Sequence, residues 1–144
     1  MKEVIIFDLE GTLVDIAGRT FSTVFIKEAS VVALAQRYEL AIVTGASRAQ
    51  LEYVLEHTFL GRYFGFENTV TKDEVSEPKK TGLPFQYFLE KRPSTKSVIL
   101  GDSQGDKLGS EILNIPFVQV NTLQLCNDSE LMEQYIQEAM LKLT

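Results

Sequence analysis

Val4-Ile5-Ile6-Phe7-Asp8-Leu9-Glu10-Gly11-Thr12-Leu13 stands near the start of the chain and decides how the rest is read. Four consecutive apolar residues run into two acids and a Gly-Thr turn. An unbroken apolar run of this length, with no polar alternation, is the pattern of a strand covered on both faces, as in a parallel sheet. Leu40-Ala41-Ile42-Val43 and Val98-Ile99-Leu100 repeat it. Phe117-Val118-Gln119-Val120, following Pro116, reads as an outer strand, and Phe64–Val70 as a weaker one.

Helical patterns fill the intervals. Residues 21–37 carry Phe21, Val24, Phe25, Val32 and Ala35 toward one face. Ser47-Arg48-Ala49-Gln50 has the form of a capping box, opening a helix to about Glu56. Pro84 suits the first turn of a helix reaching about Glu90, and 105–113 forms another. From 128 to 143, Leu131, Met132, Tyr135, Ile136, Ala139, Met140 and Leu143 recur at helical spacing. Strands alternating with helices predict an α/β fold: a Rossmann-like, doubly wound, mainly parallel five-stranded sheet with helices on both faces. The polar stretch Thr71–Gly82 reads as a loop inside one domain spanning 1–144.

Composition removes several classes. Among 144 residues, 14 are basic and 20 acidic, a net charge of −6 that repels phosphate backbones and argues against a broad nucleic-acid surface. Cys126 is the single cysteine, so neither an internal disulfide nor a cysteine-rich zinc site can form, and a reducing cytoplasm is expected. His57 is the one histidine and is read, like Asp15, as a structural or surface group. The longest apolar run, Val31–Ala35, is far short of the roughly 20 residues a membrane helix needs, and the first residues do not have the pattern of a signal peptide.

In such sheets the site lies at the carboxyl ends of the strands. The residues there are Asp8 and Glu10 after the first strand, Thr44 and Gly45 after the second, Lys79 and Lys80 in the following loop, and Gly101-Asp102-Ser103-Gln104-Gly105-Asp106 after the strand at 98–100. Several carboxylates converging without histidine call for a hard cation with oxygen ligands, Mg²⁺ above all. A carboxylate beside such a cation can attack phosphorus. A second acid two residues on can protonate the leaving group and later deprotonate water. A hydroxyl and backbone N–H groups can hold phosphate oxygens, and a lysine can neutralise the gathered charge. Ser47 is read chiefly as a helix cap.

These motifs, in this order, resemble the haloacid dehalogenase-like (HAD) superfamily of phosphohydrolases. Asp8-Leu9-Glu10-Gly11-Thr12 looks like its first motif, Thr44 with Gly45 the second, Lys79 or Lys80 the third, and Gly101 to Asp106 the fourth. The resemblance spans roughly residues 4–120. It implies a Mg²⁺-dependent phosphomonoester phosphatase. Asp8 would be nucleophile and metal ligand, and Glu10 acid/base and, through its carbonyl, metal ligand. Thr44, Gly45 and Lys80 would bind phosphate, and Lys79 would be the site lysine. Asp102 and Asp106 would hold the metal. Position 10 is Glu where these phosphatases usually have Asp, which moves the carboxyl by about 1.5 Å. A Lys-Pro form of the third motif would place Glu77 before Pro78, whereas counting back from Pro84 favours Lys79, with Lys80 next.

Thr12 to Thr44 spans 32 residues and Thr44 to Lys79 spans 35, too few at either place for the sizeable cap that the superfamily inserts there. The resemblance therefore implies a capless member with an open site. Its substrate would be a phosphorylated small molecule or a phosphoprotein, with no nucleic acid and no membrane as partner. Either the substrate covers the site or a homo-oligomer supplies the lid, through the apolar face of 131–143 or the flap around Asp15–Arg19. Two other readings stand beside this one: a catalytically silent binding or scaffold relative, and a phosphate-receiver domain, whose phosphoacceptor belongs at a later strand end.

Overall fold

The computed structural model describes residues 2–15 and 23–144. A five-stranded parallel sheet forms from β1 (Val4–Phe7), β4 (Glu39–Val43), β5 (Thr69–Val70), β6 (Ser97–Gly101) and β7 (Phe117–Gln119), in the order β5-β4-β1-β6-β7. A small antiparallel hairpin, β2 (Val14–Asp15) with β3 (Thr23–Val24), stands beside it. The helices are α1 (Glu28–Ala35), α2 (Arg48–His57), α3 (Leu83–Lys91), α4 (Gln104–Ile112), α5 (Thr122–Asn127) and α6 (Leu131–Lys142). Among the described residues, no helix is long and apolar enough to cross a membrane.

The unbroken apolar runs have a simple cause. Side chains alternate across a strand, so Ile5, Phe7, Leu40, Ile42, Val98 and Leu100 enter one core with α1, α2 and α6. Val4, Ile6, Ala41, Val43 and Ile99 enter a second core on the other face with Phe85 and Phe88 of α3. The doubly wound α/β architecture expected from the sequence is present. Pairing of Phe7 with both Ile42 and Leu100 brings the ends of β1, β4 and β6 level. The Asp8 N–H then donates to Leu100 O at 2.9 Å, setting Asp8 beside the start of the next motif.

Three elements differ from the sequence reading. The helix expected over 21–37 covers only Glu28–Ala35, and Phe21 lies outside the described residues. Thr23–Val24 pairs with Val14–Asp15 instead, and the Phe25 N–H donates to Leu13 O at 2.8 Å. Phe25 and Ile26 reach the core from a bend ahead of α1, whereas Val32 is 41% exposed. The expected strand Phe64–Val70 shrinks to two residues. A 3-10 turn at Phe66–Asn68 precedes it, where the Asn68 amide bonds Leu40 O and Tyr63 O. The final helix starts at Leu131, because Asp128 is extended and its carboxylate accepts the Glu130 N–H at 2.9 Å. The separate helix α5 ahead of it had a readable signal in Asn121, which caps it by accepting the Gln124 N–H.

The apolar face of α6 is not free for a second subunit. Met132, Ile136, Ala139 and Leu143 are all buried in the first core. The flap around Asp15–Arg19 lies largely outside the described residues.

The loop from Thr71 to Gly82 is tied at several points. Arg48 of α2 bonds Thr69 and Glu74, and the Lys72 N–H donates to Ala46 O at 3.0 Å. Its end winds into a 3-10 turn, Lys79–Thr81, packed on α4. At Gly109 of α4, a Cβ would collide with Lys79 O and the Phe85 ring. Alanine in an exposed helix interior ordinarily gains about 1 kcal/mol over glycine. Here the collision reverses the sign: Gly109→Ala should destabilise by about 1–3 kcal/mol, seen as a lower midpoint in thermal unfolding.

Candidate active site

Lys79 is the hub of the site. Its Nζ lies 2.7 Å from Asp8 Oδ1, 2.7 Å from Asp106 Oδ1 and 3.4 Å from Val43 O. Asp8 Oδ1 also accepts the Leu9 N–H at 2.8 Å. Asp106 is fully buried, and its Oδ2 accepts the Ser103 hydroxyl at 2.7 Å while the Asp106 N–H returns a bond to Ser103 Oγ. Ser103 and Asp106 thus form a capping box on α4, which fixes the second acid of the fourth motif. Both Asp106 oxygens are engaged.

Asp8, Asp102 and Asp106 each place a carboxylate oxygen within 4.8 Å of the others. Burial pushes the Asp8 carboxyl well above the usual carboxylate range, against the pull of the Lys79 cation, with Asp106 and Asp102 pushing it further up. Burial works against the Lys79 cation, but the attraction of Asp8 and Asp106 outweighs it and holds the ammonium above its ordinary value.

Asp102 is placed by a residue that the motif reading missed. The Thr122 hydroxyl, at the start of α5, lies 3.2 Å from Asp102 Oδ2 and donates to Gly11 O at 2.8 Å. Gly11 has φ of +81°, and a Cβ there would strike the Asp102 carboxylate and Thr122 Oγ1. The turn after Asp8 can therefore lie against Asp102 only with glycine at this place.

Glu10, Thr44 and Gly45 line a cleft of about 570 Å³ together with Asp8, Lys79 and Asp102. Thr44 is buried, and its Oγ1 accepts the Ala46 N–H at 3.1 Å. Gln50 also reaches the cleft. Ser47 caps α2, its Oγ accepting the Gln50 N–H at 3.1 Å. Lys80 is exposed and faces a neighbouring recess, not the carboxylate cluster. His57 bonds Tyr53 O through Nδ1 and stacks on the Tyr53 ring, away from the cleft.

The donor set is suited to a hard cation. Every ligand atom on offer is oxygen, and two of the three acids, Asp8 and Asp106, share one lysine. The carboxylate of Asp102 makes no ion pair with a lysine or arginine among the described residues.

The profile of the haloacid dehalogenase-like hydrolases matches residues 26–120, more than half of the chain. No curated protein matches it. Among solved structures, the chain is similar to a HAD-superfamily hydrolase of subfamily IA, variant 1, from Geobacter sulfurreducens. The identity is 19%, covering 83% of this chain and 89% of that one, with a TM-score of 0.67. A HAD-superfamily hydrolase from Ehrlichia chaffeensis is 15% identical over 94% of this chain and 99% of that one, with a TM-score of 0.60. A Thermotoga maritima protein assigned as a β-phosphoglucomutase is 15% identical over 81% and 84%, with a TM-score of 0.67. At these identities the structures speak for the fold, and the profile for the family. Among the described residues, the intervals from Thr12 to Thr44 and from Thr44 to Lys79 hold the hairpin, α1, β4, α2, β5 and short turns. The chain belongs to the haloacid dehalogenase-like hydrolases, in a capless form.

Proposed function

We propose that the protein is a Mg²⁺-dependent phosphatase of small phosphomonoesters, acting through a phosphoryl group carried on Asp8. The observation that carries this reading is the cluster of Asp8, Asp102 and Asp106, with Lys79 paired to the first and last, at the carboxyl ends of adjacent parallel strands and open to a cleft.

Asp8, Asp102 and the Glu10 carbonyl would hold the cation, with Asp106 behind them anchoring Lys79. When bound, Mg²⁺ offsets the charge of the gathered carboxylates and of the phosphate oxygens. The Thr44 hydroxyl and the N–H groups after it receive those oxygens, and Lys79 steadies the same charge. An Asp8 oxygen attacks phosphorus, the bond from phosphorus to the ester oxygen breaks, and Glu10 gives its proton to the departing alcohol. Water then attacks the phosphoryl group, Glu10 takes its proton back, and inorganic phosphate leaves with Asp8 restored.

The first test is hydrolysis of para-nitrophenyl phosphate and a panel of small phosphomonoesters, with and without Mg²⁺. No Mg²⁺-dependent turnover of any of them would leave a silent binding relative as the better account. Asp8→Asn should lower turnover by more than about 10³-fold while circular dichroism shows the fold retained. Glu10→Gln should slow turnover by about 10²-fold or more and leave Mg²⁺ affinity unchanged in calorimetric titration, since its metal contact is a backbone carbonyl. Thr122→Val should weaken Mg²⁺ binding about tenfold in the same titration, and Thr122→Ser should restore it.

A further inference from the structure

The cleft at Asp8 does not end at the carboxylates. It continues into a recess of about 430 Å³, and the two share Thr44, Gly45, Lys79 and Ser103 as walls. Carbon lines the recess through Val75, Pro78 and Pro84, and its rim carries Lys72, Lys80 and Glu77.

The charge there runs against the rest of the chain. The protein has net charge −6, yet two lysines face one acid at this rim. Both lysines are exposed, and neither makes an ion pair among the described residues. Their backbones are held. Lys72 N–H donates to Ala46 O, and Lys80 sits in the 3-10 turn between Pro78 and Gly82 that packs on α4. Lys79, the third cation of the recess, is already spent on Asp8 and Asp106. Unpaired ammonium groups carried on anchored backbone beside an apolar pocket attract an anion and favour the pose that brings it to them.

We propose that this recess receives the leaving group, and that the substrate is a small phosphomonoester whose leaving group carries a second anion, a carboxylate or another phosphate, held by Lys72 and Lys80. The inference rests on the phosphatase reading of the cleft. With no cap domain, contacts to the leaving group fall to the core itself, and these two lysines supply them. Binding of the remote anion positions the ester for attack.

Three substrates of similar size separate the outcomes, assayed in Mg²⁺: glycerol 3-phosphate, 3-phosphoglycerate and propane-1,3-diol bisphosphate. Wild type should prefer at least one of the doubly charged esters over glycerol 3-phosphate by about tenfold or more in kcat/KM, mainly through KM. Whichever of the two leads identifies the anion. In Lys72→Met/Lys80→Met that preference should collapse to within about twofold, whatever happens to the absolute rate. Equal kcat/KM for all three in wild type, or a preference unchanged in the double variant, overturns the subsite and leaves the phosphatase reading standing. Turnover of none of the three, nor of para-nitrophenyl phosphate, overturns the phosphatase reading and the subsite with it.

Discussion

One largely enclosed ammonium organises the centre of this molecule. Lys79 lies between Asp8 and Asp106, from the end of β1 and the first turn of α4, so three distant segments meet at a single cation. Asp106 is fully buried and Asp8 nearly so. A carboxylate in that position is costly without a partner, and removing one member of such a pair strands the others. The chain around Lys79 is built to keep it there. Its turn packs on α4 where Gly109 leaves room, and the loop leading to it is tied to α2 through Arg48.

Asp102 stands outside that pairing. It faces the cleft with the Thr122 hydroxyl as its anchor, while Lys79 engages the other two acids. The division gives the cluster two parts. One is locked by protein contacts and holds shape. The other is supported but keeps ligand capacity, which is what a site for a hard cation requires. The Thr122 bond to Gly11 O joins the turn carrying Glu10 to the same carboxylate.

The missing cap shapes the surface around this centre. The hairpin β2–β3, α1 and the loop before Lys79 occupy the intervals where a lid would be inserted. The apolar side of α6, which had offered itself as a contact for a neighbouring subunit, is consumed by the sheet. The surface around the cleft is then that of the core's own loops, and the recess next to it is where those loops present unpaired charge.

Much of this was legible in the chain before folding. β1, β4 and β6 announce themselves because a strand covered on both faces needs apolar side chains at every position. The acids that follow them are legible because strand ends in such sheets converge. The capping box at Ser47 is local chemistry and needed nothing else. Local pattern failed where a distant partner decided the outcome. Val24 and Phe25 fit a helical face, but β2 and Leu13 O draw that stretch into a hairpin and the bend after it. Lys79 and Lys80 are adjacent in a polar loop and equivalent on paper. Only the turn against α4 sends one inward to two carboxylates and leaves the other at the rim of the recess. Thr122 carries no motif at all, and its meaning comes from Gly11 and Asp102, which meet it through the sheet. The sequence by itself determined the strands and the acids, because burial and charge are properties of short segments. Which lysine, which hydroxyl and which recess serve those acids was left to the tertiary structure, because an ion pair or hydrogen bond exists only once its partners are within reach.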